Sequence, residues 1–497
     1  MSEFKKKIFQ GAAWLTLSRL TMNSLGFVST IVLARILVPA DFGIFAISSA
    51  ALAIALSITD LSLNSSLVQR AELSQHHFDS VWTISFFRAL FIILVFSAIA
   101  YPMAFLYQEP RLAAVFFVVG VTGALPGLKS PKVALMTREL LFRQDFIIQV
   151  TQKGTIFVFS IALAILLKSY WALVIGSFMG AAMGLITSYL IAPYVPRFSL
   201  KAFRELFSYS FWLSMGDTVN TLNWKLDQLI LGYLVGRSAL GVYTVADNLA
   251  ALPVRESTSP LVNTLFPAFS RMKDSVDRLR IAYKRAQALI CAVSFPVGFG
   301  FAAVANLLVP FILGNKWNGA IPIIQILSVT FAMQSITVGL QPLAMAKGET
   351  KALFFRDVRT FLIRVPFIAA GFLINGLMGV VVARMISSLI GTVWNMALVS
   401  RISGIKKVDQ ARLASRYFIA AGGILLAVWI VQSAFAVTPD GHHDLLTITC
   451  SVIAGVIAYL SIVSVLWLAA GRPEGPETEF LSLYRAASEL LKSQKKT

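Results

Sequence analysis

The stretch Leu229–Tyr243, LILGYLVGRSALGVY, decides how this chain folds, because Ile31–Phe45, IVLARILVPADFGIF, repeats its pattern 198 positions earlier (31 against 229). Each stretch closes one apolar segment, turns, and opens another through a Gly followed two residues later by an aromatic. The same displacement superposes Phe9 on Phe207, Trp14 on Trp212, Leu15 on Leu213, Leu33 on Leu231 and Gly43 on Gly241. Trp is scarce in the chain and the register holds without a gap, so we read an internal duplication. If the displacement contains an even number of membrane crossings, it produces two halves of one orientation related by an axis along the membrane normal.

Composition places those segments in a bilayer. The 497 residues are 57% hydrophobic and 13% charged, whereas soluble domains are roughly 45–50% apolar and about 25% charged. Apolar runs of about 20 residues recur, each able to cross a ~30 Å hydrocarbon core as a helix. An all-α integral membrane protein follows. The start, MSEFKKKIFQ, has no short apolar core with a small-residue cleavage site, so the first helix is expected to be retained. Cys291 and Cys450 fall inside apolar runs and imply neither a disulfide framework nor a metal site.

The expected crossings are 12–35, 42–63, 80–103, 112–130, 146–167 and 170–192, then 207–235, 241–266, 286–312, 320–344, 354–375 and 377–400, then 417–437 and 446–469. That is fourteen transmembrane helices: a six-helix lobe over 1–200, a second over 201–405, and two further helices within 406–471. With the Lys5-Lys6-Lys7 end in the cytoplasm, Lys and Arg divide 31 to 4 between cytoplasmic and external segments, and eight of the 43 stay at membrane depth. Such an asymmetry over short loops puts both termini in the cytoplasm. It also accounts for the net charge of +19 without a nucleic-acid partner. The tail, 472–497, places Phe480, Leu483, Tyr484, Ala487 and Leu491 at helical spacing, as a surface amphipathic helix would.

No catalytic signature is present: the chain has no Gly-x-Ser-x-Gly, no phosphate-cradling loop ending in Gly-Lys-Ser/Thr and no His/Cys ligand spacing, so neither enzyme activity nor a cofactor is expected. The pairs His76-His77 and His442-His443 fall in predicted loops and read as solvated. The informative residues are ionisable groups at membrane depth, where a charge at a helix centre costs about 2.5–3.5 kcal/mol and so faces a wet cavity or a partner. Arg19, Lys153, Arg255, Arg364 and Arg384 are the candidate substrate-binding cations, and Asp60, Asp217 and Asp247 the candidate ion-coupling groups. Arg19 and Asp217 stand at equivalent positions of the duplication, which allows an ion pair instead. Arg88, near one membrane face, reads as a snorkelling side chain before a functional one, and Asp227 as a neutraliser of Lys225 or a hydrogen-bonding group. Arg255 and Glu256, bracketed by Pro253 and Pro260, point about 100° apart on a helix and are not expected to pair easily.

Three stretches carry a family resemblance: ARILVPADFGIFAI after the first helix, LDQLILGYLVGRSALGVYTVADNLAALP over 226–253, and NTLFPAFSRM over 263–272. In these the chain resembles the polysaccharide transporter branch of the flippase superfamily that also contains multidrug extruders and lipid II flippases. The resemblance implies two lobes around a central cationic cavity. It further implies movement of a polyprenyl-pyrophosphate-linked oligosaccharide to the outer leaflet of the bacterial inner membrane for exopolysaccharide, capsule or O-antigen synthesis, with glycan polymerase machinery as an expected partner. Asp227, Gly232, Gly241, Tyr243 and Pro253 carry the family pattern and read as structural; Arg237 departs from it. Alternating access by rocking lobes is the mechanism such a plan supports, with sugar meeting Trp14, Trp212, Asn220 and Trp224. Export of negative charge would gain about 2.3 kcal/mol per charge per 100 mV. A multidrug-type small-molecule extruder of the same superfamily is the alternative.

Overall fold

The computed structural model describes residues 3–60, 67, 74–139, 141–434, 445–472 and 475–478, with 3–13, 15–16, 137, 142 and 203–217 described by backbone alone. Among the described residues there is no strand. They form two compact units, Met1–Thr244 and Val245–Thr497. The first holds α1 (Glu3–Ile36), α2 (Pro39–Thr59), α3 (Gln75–Leu106), α4 (Arg111–Ala124) with a 3-10 turn at Leu125–Leu128, α5 (Val133–Arg138), α6 (Phe142–Leu167), α7 (Trp171–Ile191) and α8 (Phe203–Val235). A further helix, α9 (Arg237–Met272), begins there and continues into the second unit. The second unit adds α10 (Val276–Leu313), a 3-10 turn at Asn315–Ala320, α11 (Ile321–Gln334), a 3-10 turn at Ser335–Thr337, α12 (Leu340–Ala346), α13 (Thr350–Ser403), α14 (Lys407–Ala434) and α15 (Leu445–Ala469).

The element order repeats. Helices α1 to α4, a 3-10 turn, the short α5, then α6 and α7 are matched by α8 to α11, a 3-10 turn, the short α12, and the two limbs of α13. A 54-residue helix would extend about 80 Å, more than twice the hydrocarbon thickness. The chain therefore breaks inside it, at Asn375 (φ −151°) and Gly376 (φ +48°), the second in the left-handed region that only glycine enters without strain. Among the described residues, eleven helices are long and apolar enough to cross a membrane. Helices α8 and α9 are long, 33 and 36 residues, but less apolar, and are not among the eleven. The solvation pattern is that of a protein in lipid: Phe105, Leu373 and Ile374 are 83–87% exposed, while Gln287, Gln410 and Ser294 are buried. The amide nitrogens of the two glutamines are bonded internally: Gln410 donates to the Met396 and Ile405 carbonyls at 3.0 and 3.2 Å, and Gln287 donates to the Gln410 carbonyl at 3.0 Å.

Helix pairing in the first unit depends on small residues. Gly176, Gly180 and Gly184 line one face of α7 at four-residue spacing and meet Ser160, Ile156 and Gln152 of α6, also four apart. With no hydrophobic drive between helices in lipid, such close backbone approach supplies the packing energy.

The duplicated turns meet each other. A Cβ added to Gly43 would fall on the Arg237 carbonyl oxygen, and one added to Gly241 would fall on the Pro39 carbonyl oxygen. Arg237 occupies the repeat position of Pro39, and Gly241 that of Gly43. The contact is therefore reciprocal, as across a two-fold axis, and it lies wholly within the first unit.

Candidate functional site

The turn contact is reinforced on all sides. Asp41, 7% exposed, accepts from the Val38 N–H through Oδ2 and from the Tyr170 N–H through Oδ1, both at 3.2 Å. It thereby starts α2 and ties it to the turn before α7, which gives the acidic residue of VPADFGIF its reason. Asp227, 2% exposed, accepts from the Tyr243 hydroxyl at 3.0 Å and from the Gln228 N–H at 3.1 Å, clamping α8 to α9 across their turn. Tyr107 donates to the Leu229 carbonyl at 3.0 Å. Burial pushes its phenol up to about 12, so it remains a donor at any physiological pH. Arg237, whose role the sequence left open, pairs with Glu109, which also meets Arg111 at 3.6 Å. Tyr243→Phe should lower stability by about 2 kcal/mol, the value of a hydrogen bond to a charged group; a melting curve of the detergent-extracted protein checks it, and an unchanged midpoint would mean the bond carries nothing.

Elsewhere in the first unit, a polar file runs along α6. Gln152, seated against Gly184, accepts from the Lys129 ammonium at 3.0 Å. One turn earlier Gln149 donates to Asp145. Lys153 is half-buried on the α6 face that also carries Phe146 and Phe157. That face meets α1: the Trp14 and Phe146 rings lie 5.1 Å apart, tilted at 51°, and Phe157 closes an apolar cleft with Leu20, Ser24 and Val28. Arg19 is exposed on α1. Asp60 ends α2 and pairs with Arg88 at 3.4 Å, while Arg88 also donates to Thr59 and to the Leu56 carbonyl. Arg88 thus caps α2 as well as neutralising Asp60. Asp217 and Trp212 fall on the part of α8 described by backbone alone. Asn220 and Trp224, one turn apart on α8, are joined at 3.2 Å and exposed together, an amide beside an aromatic face.

In the second unit, Arg384 and Asp247 form a buried ion pair, Nη1 to Oδ1 at 2.7 Å, with side chains 3% and 15% exposed. The guanidinium also lies 5.5 Å from the Phe331 ring centre. At least two of the five candidate cations, Arg384 and Arg255, and two of the three candidate acids, Asp247 and Asp60, are thus engaged in pairs: Arg255 meets its neighbour Glu256 at 3.2 Å, contrary to the expectation from their 100° separation, because the long Arg side chain reaches around the helix. Arg364 is half-buried in the first limb of α13. At the end of that limb Arg356 meets Asp357 at 2.8 Å and Arg359 lies over Trp394 at 5.1 Å.

A further expectation is corrected. His76 and His77 are not in a loop but open α3, where Nδ1 of His77 faces the Ser74 N–H at 3.0 Å and caps the helix. His442-His443 and the predicted tail helix lie outside the described residues. Lys129, Gln152 and the Arg359–Trp394 pair were not singled out by the sequence; the four-residue spacing of Gly176, Gly180 and Gly184 is the one signal that could have located Gln152.

Residues 32–322 match a family described as polysaccharide biosynthesis protein. The chain is 25% identical over 398 residues to the lipopolysaccharide biosynthesis protein WzxC of Escherichia coli (strain K12), covering 78% of this chain and 80% of that one. It is also 25% identical over 468 residues to the succinoglycan biosynthesis transport protein ExoT of Rhizobium meliloti (strain 1021), covering 93% and 94%. Among solved structures, the lipid II flippase MurJ in an inward closed conformation superposes with a TM-score of 0.74 at 13% identity, covering 92% of this chain and 99% of that chain. An inward-facing multidrug MATE transporter superposes with a TM-score of 0.58 at 13% identity, covering 79% and 99%. These two likenesses are of fold.

Proposed function

The chain belongs to the polysaccharide biosynthesis protein family, and from that premise we propose that it is a flippase carrying a polyprenyl-pyrophosphate-linked oligosaccharide from the cytoplasmic to the outer leaflet of the bacterial inner membrane. The observation that carries the reading is the reciprocal Gly43 and Gly241 contact. It is what a carrier built of two like-oriented repeats needs where it is closed at one face, since rocking about such a contact opens the other. Counting the two limbs of α13 separately and adding α8 and α9 to the eleven apolar candidates gives fourteen crossings. The repeats are 1–200 and 201–405 by element order, followed by α14 and α15, with both termini in the cytoplasm. The first turns of α9 pack with the first unit because the reciprocal contact lies there.

The physical task is to move a pyrophosphate and a sugar chain across hydrocarbon while the lipid tail stays in it. Arg19, Lys153, Arg255 and Arg364 are proposed to meet the pyrophosphate, and Trp14, Asn220 and Trp224 the sugar. Arg384 enters as the buried partner of Asp247, whose proton or ion occupancy would change that pairing; Asp60 and Asp217 are the other coupling candidates. The multidrug-type reading shares the fold but has no counterpart in the family match, and glycan polymerase machinery is the natural recipient of the cargo. Charge reversal at Arg255 or Arg364 is expected to abolish surface glycan while the protein stays in the membrane. Immunoblotting of membranes beside glycan staining tests this, and normal glycan in both variants would overturn the assignment.

A further inference from the structure

A cavity of about 540 Å³ lies between the two limbs of α13, lined in part by Lys351, Phe355, Arg356 and Arg359 from one limb and Trp394 and Arg401 from the other. None of these residues was given a part in translocation. The limbs touch at their far end, where a Cβ on Gly371 or Gly379 would strike the other residue's carbonyl oxygen, and the cavity lies toward the end that carries Thr350 and Ser403. Two of the four cations are neutralised, Arg356 by Asp357 at 2.8 Å and Arg401 by Glu349 at 3.2 Å. Lys351 and Arg359 have no carboxylate partner among the described residues, and Arg359 is held over the Trp394 ring at 5.1 Å. Phe355, 54% exposed, stands beside them.

Two uncompensated positive charges beside an exposed Phe355 and a half-buried Trp394, at the end of a membrane hairpin, fit an amphiphile with an anionic head. An Arg fork takes two phosphate oxygens at once, interfacial aromatics sit where headgroup meets tail, and basic pockets between membrane helices hold lipid phosphates. We propose that this cavity binds the phosphate headgroup of a membrane lipid from the adjacent leaflet, the cytoplasmic one in the orientation proposed above, on which only the choice of leaflet rests. Two sources offer that chemistry: an anionic phospholipid, or the polyprenyl pyrophosphate itself before it enters the translocation route.

The test uses the full chain in phosphatidylcholine nanodiscs, titrated with phosphatidylglycerol or with a polyprenyl pyrophosphate, and reads the Trp394 emission as the difference between wild type and Trp394→Phe. Saturable binding is expected, weakening as salt rises and roughly thirtyfold weaker in K351Q/R359Q, which loses both unpaired cations. K351R/R359K, which keeps the charges, should bind and thereby exclude misfolding as the cause. Tighter phosphatidylglycerol binding identifies a structural lipid site and tighter pyrophosphate binding a waiting site for cargo; either supports the proposal. Absence of saturable binding by both lipids, or undiminished binding by K351Q/R359Q, overturns it. Lipid binding that survives in a chain unable to translocate would sink the flippase reading alone, and translocation without lipid binding would sink this one alone.

Discussion

G241V is expected to leave little folded protein in the membrane and no surface glycan, and G43V to do the same. The added side chain would begin inside the van der Waals surface of the Pro39 carbonyl oxygen, or for G43V of the Arg237 carbonyl oxygen. Backbone cannot step aside as a flexible side chain can, and this backbone is fixed by Asp41 on one side and by the Asp227 and Tyr243 clamp on the other. Overpacking a tight core costs about 1–3 kcal/mol and occasionally more; with no side chain to yield, the upper end or beyond is expected. G422V is the control, since Gly422 is exposed on α14 and a Cβ there meets nothing within 4 Å. Gel filtration of fluorescent fusions extracted from membranes reads the outcome. A monodisperse, active G241V protein would mean that the reciprocal contact is incidental.

D247A is expected to destabilise the second unit by about 3–5 kcal/mol, because it strands the Arg384 guanidinium in a site where its side chain is 3% exposed. Replacing both partners by apolar residues of similar size, as in D247L/R384M, removes the stranded charge and should recover most of that loss. Melting curves of the two variants separate pairing from packing. The double variant also addresses mechanism: a protein that is stable yet exports no glycan would assign the pair to the transport cycle, whereas stable and active protein would confine it to structure. A D247A melting point equal to wild type would contradict the buried pairing itself.

How much of this was legible before the structure depends on the range of the interaction. The duplicated turn was readable because its requirement is local: a backbone crossing needs Gly at one position, and the demand recurs at Gly43 and Gly241 with an aromatic two residues on. The break at Asn375–Gly376 fell where two apolar runs of crossing length had to be divided. The Asp247–Arg384 pair was not readable, since each charge was assigned its own role and nothing local ties residues 137 apart. Lys129 stands at the end of the expected crossing 112–130, and position along the chain cannot tell a lysine in water from one folded back onto Gln152. Arg255 and Glu256 show the opposite error, where helix geometry at the Cα argued against a pair that long side chains make.

Reconstitution tests the central claim most directly. Proteoliposomes containing the full chain and a fluorescent polyprenyl-pyrophosphate oligosaccharide are exposed to a membrane-impermeant quencher, and the rate at which inner-leaflet lipid becomes accessible is compared with protein-free vesicles. The account predicts protein-dependent translocation that is lost in R364E; translocation no faster than in empty vesicles, or undiminished in R364E, would contradict it.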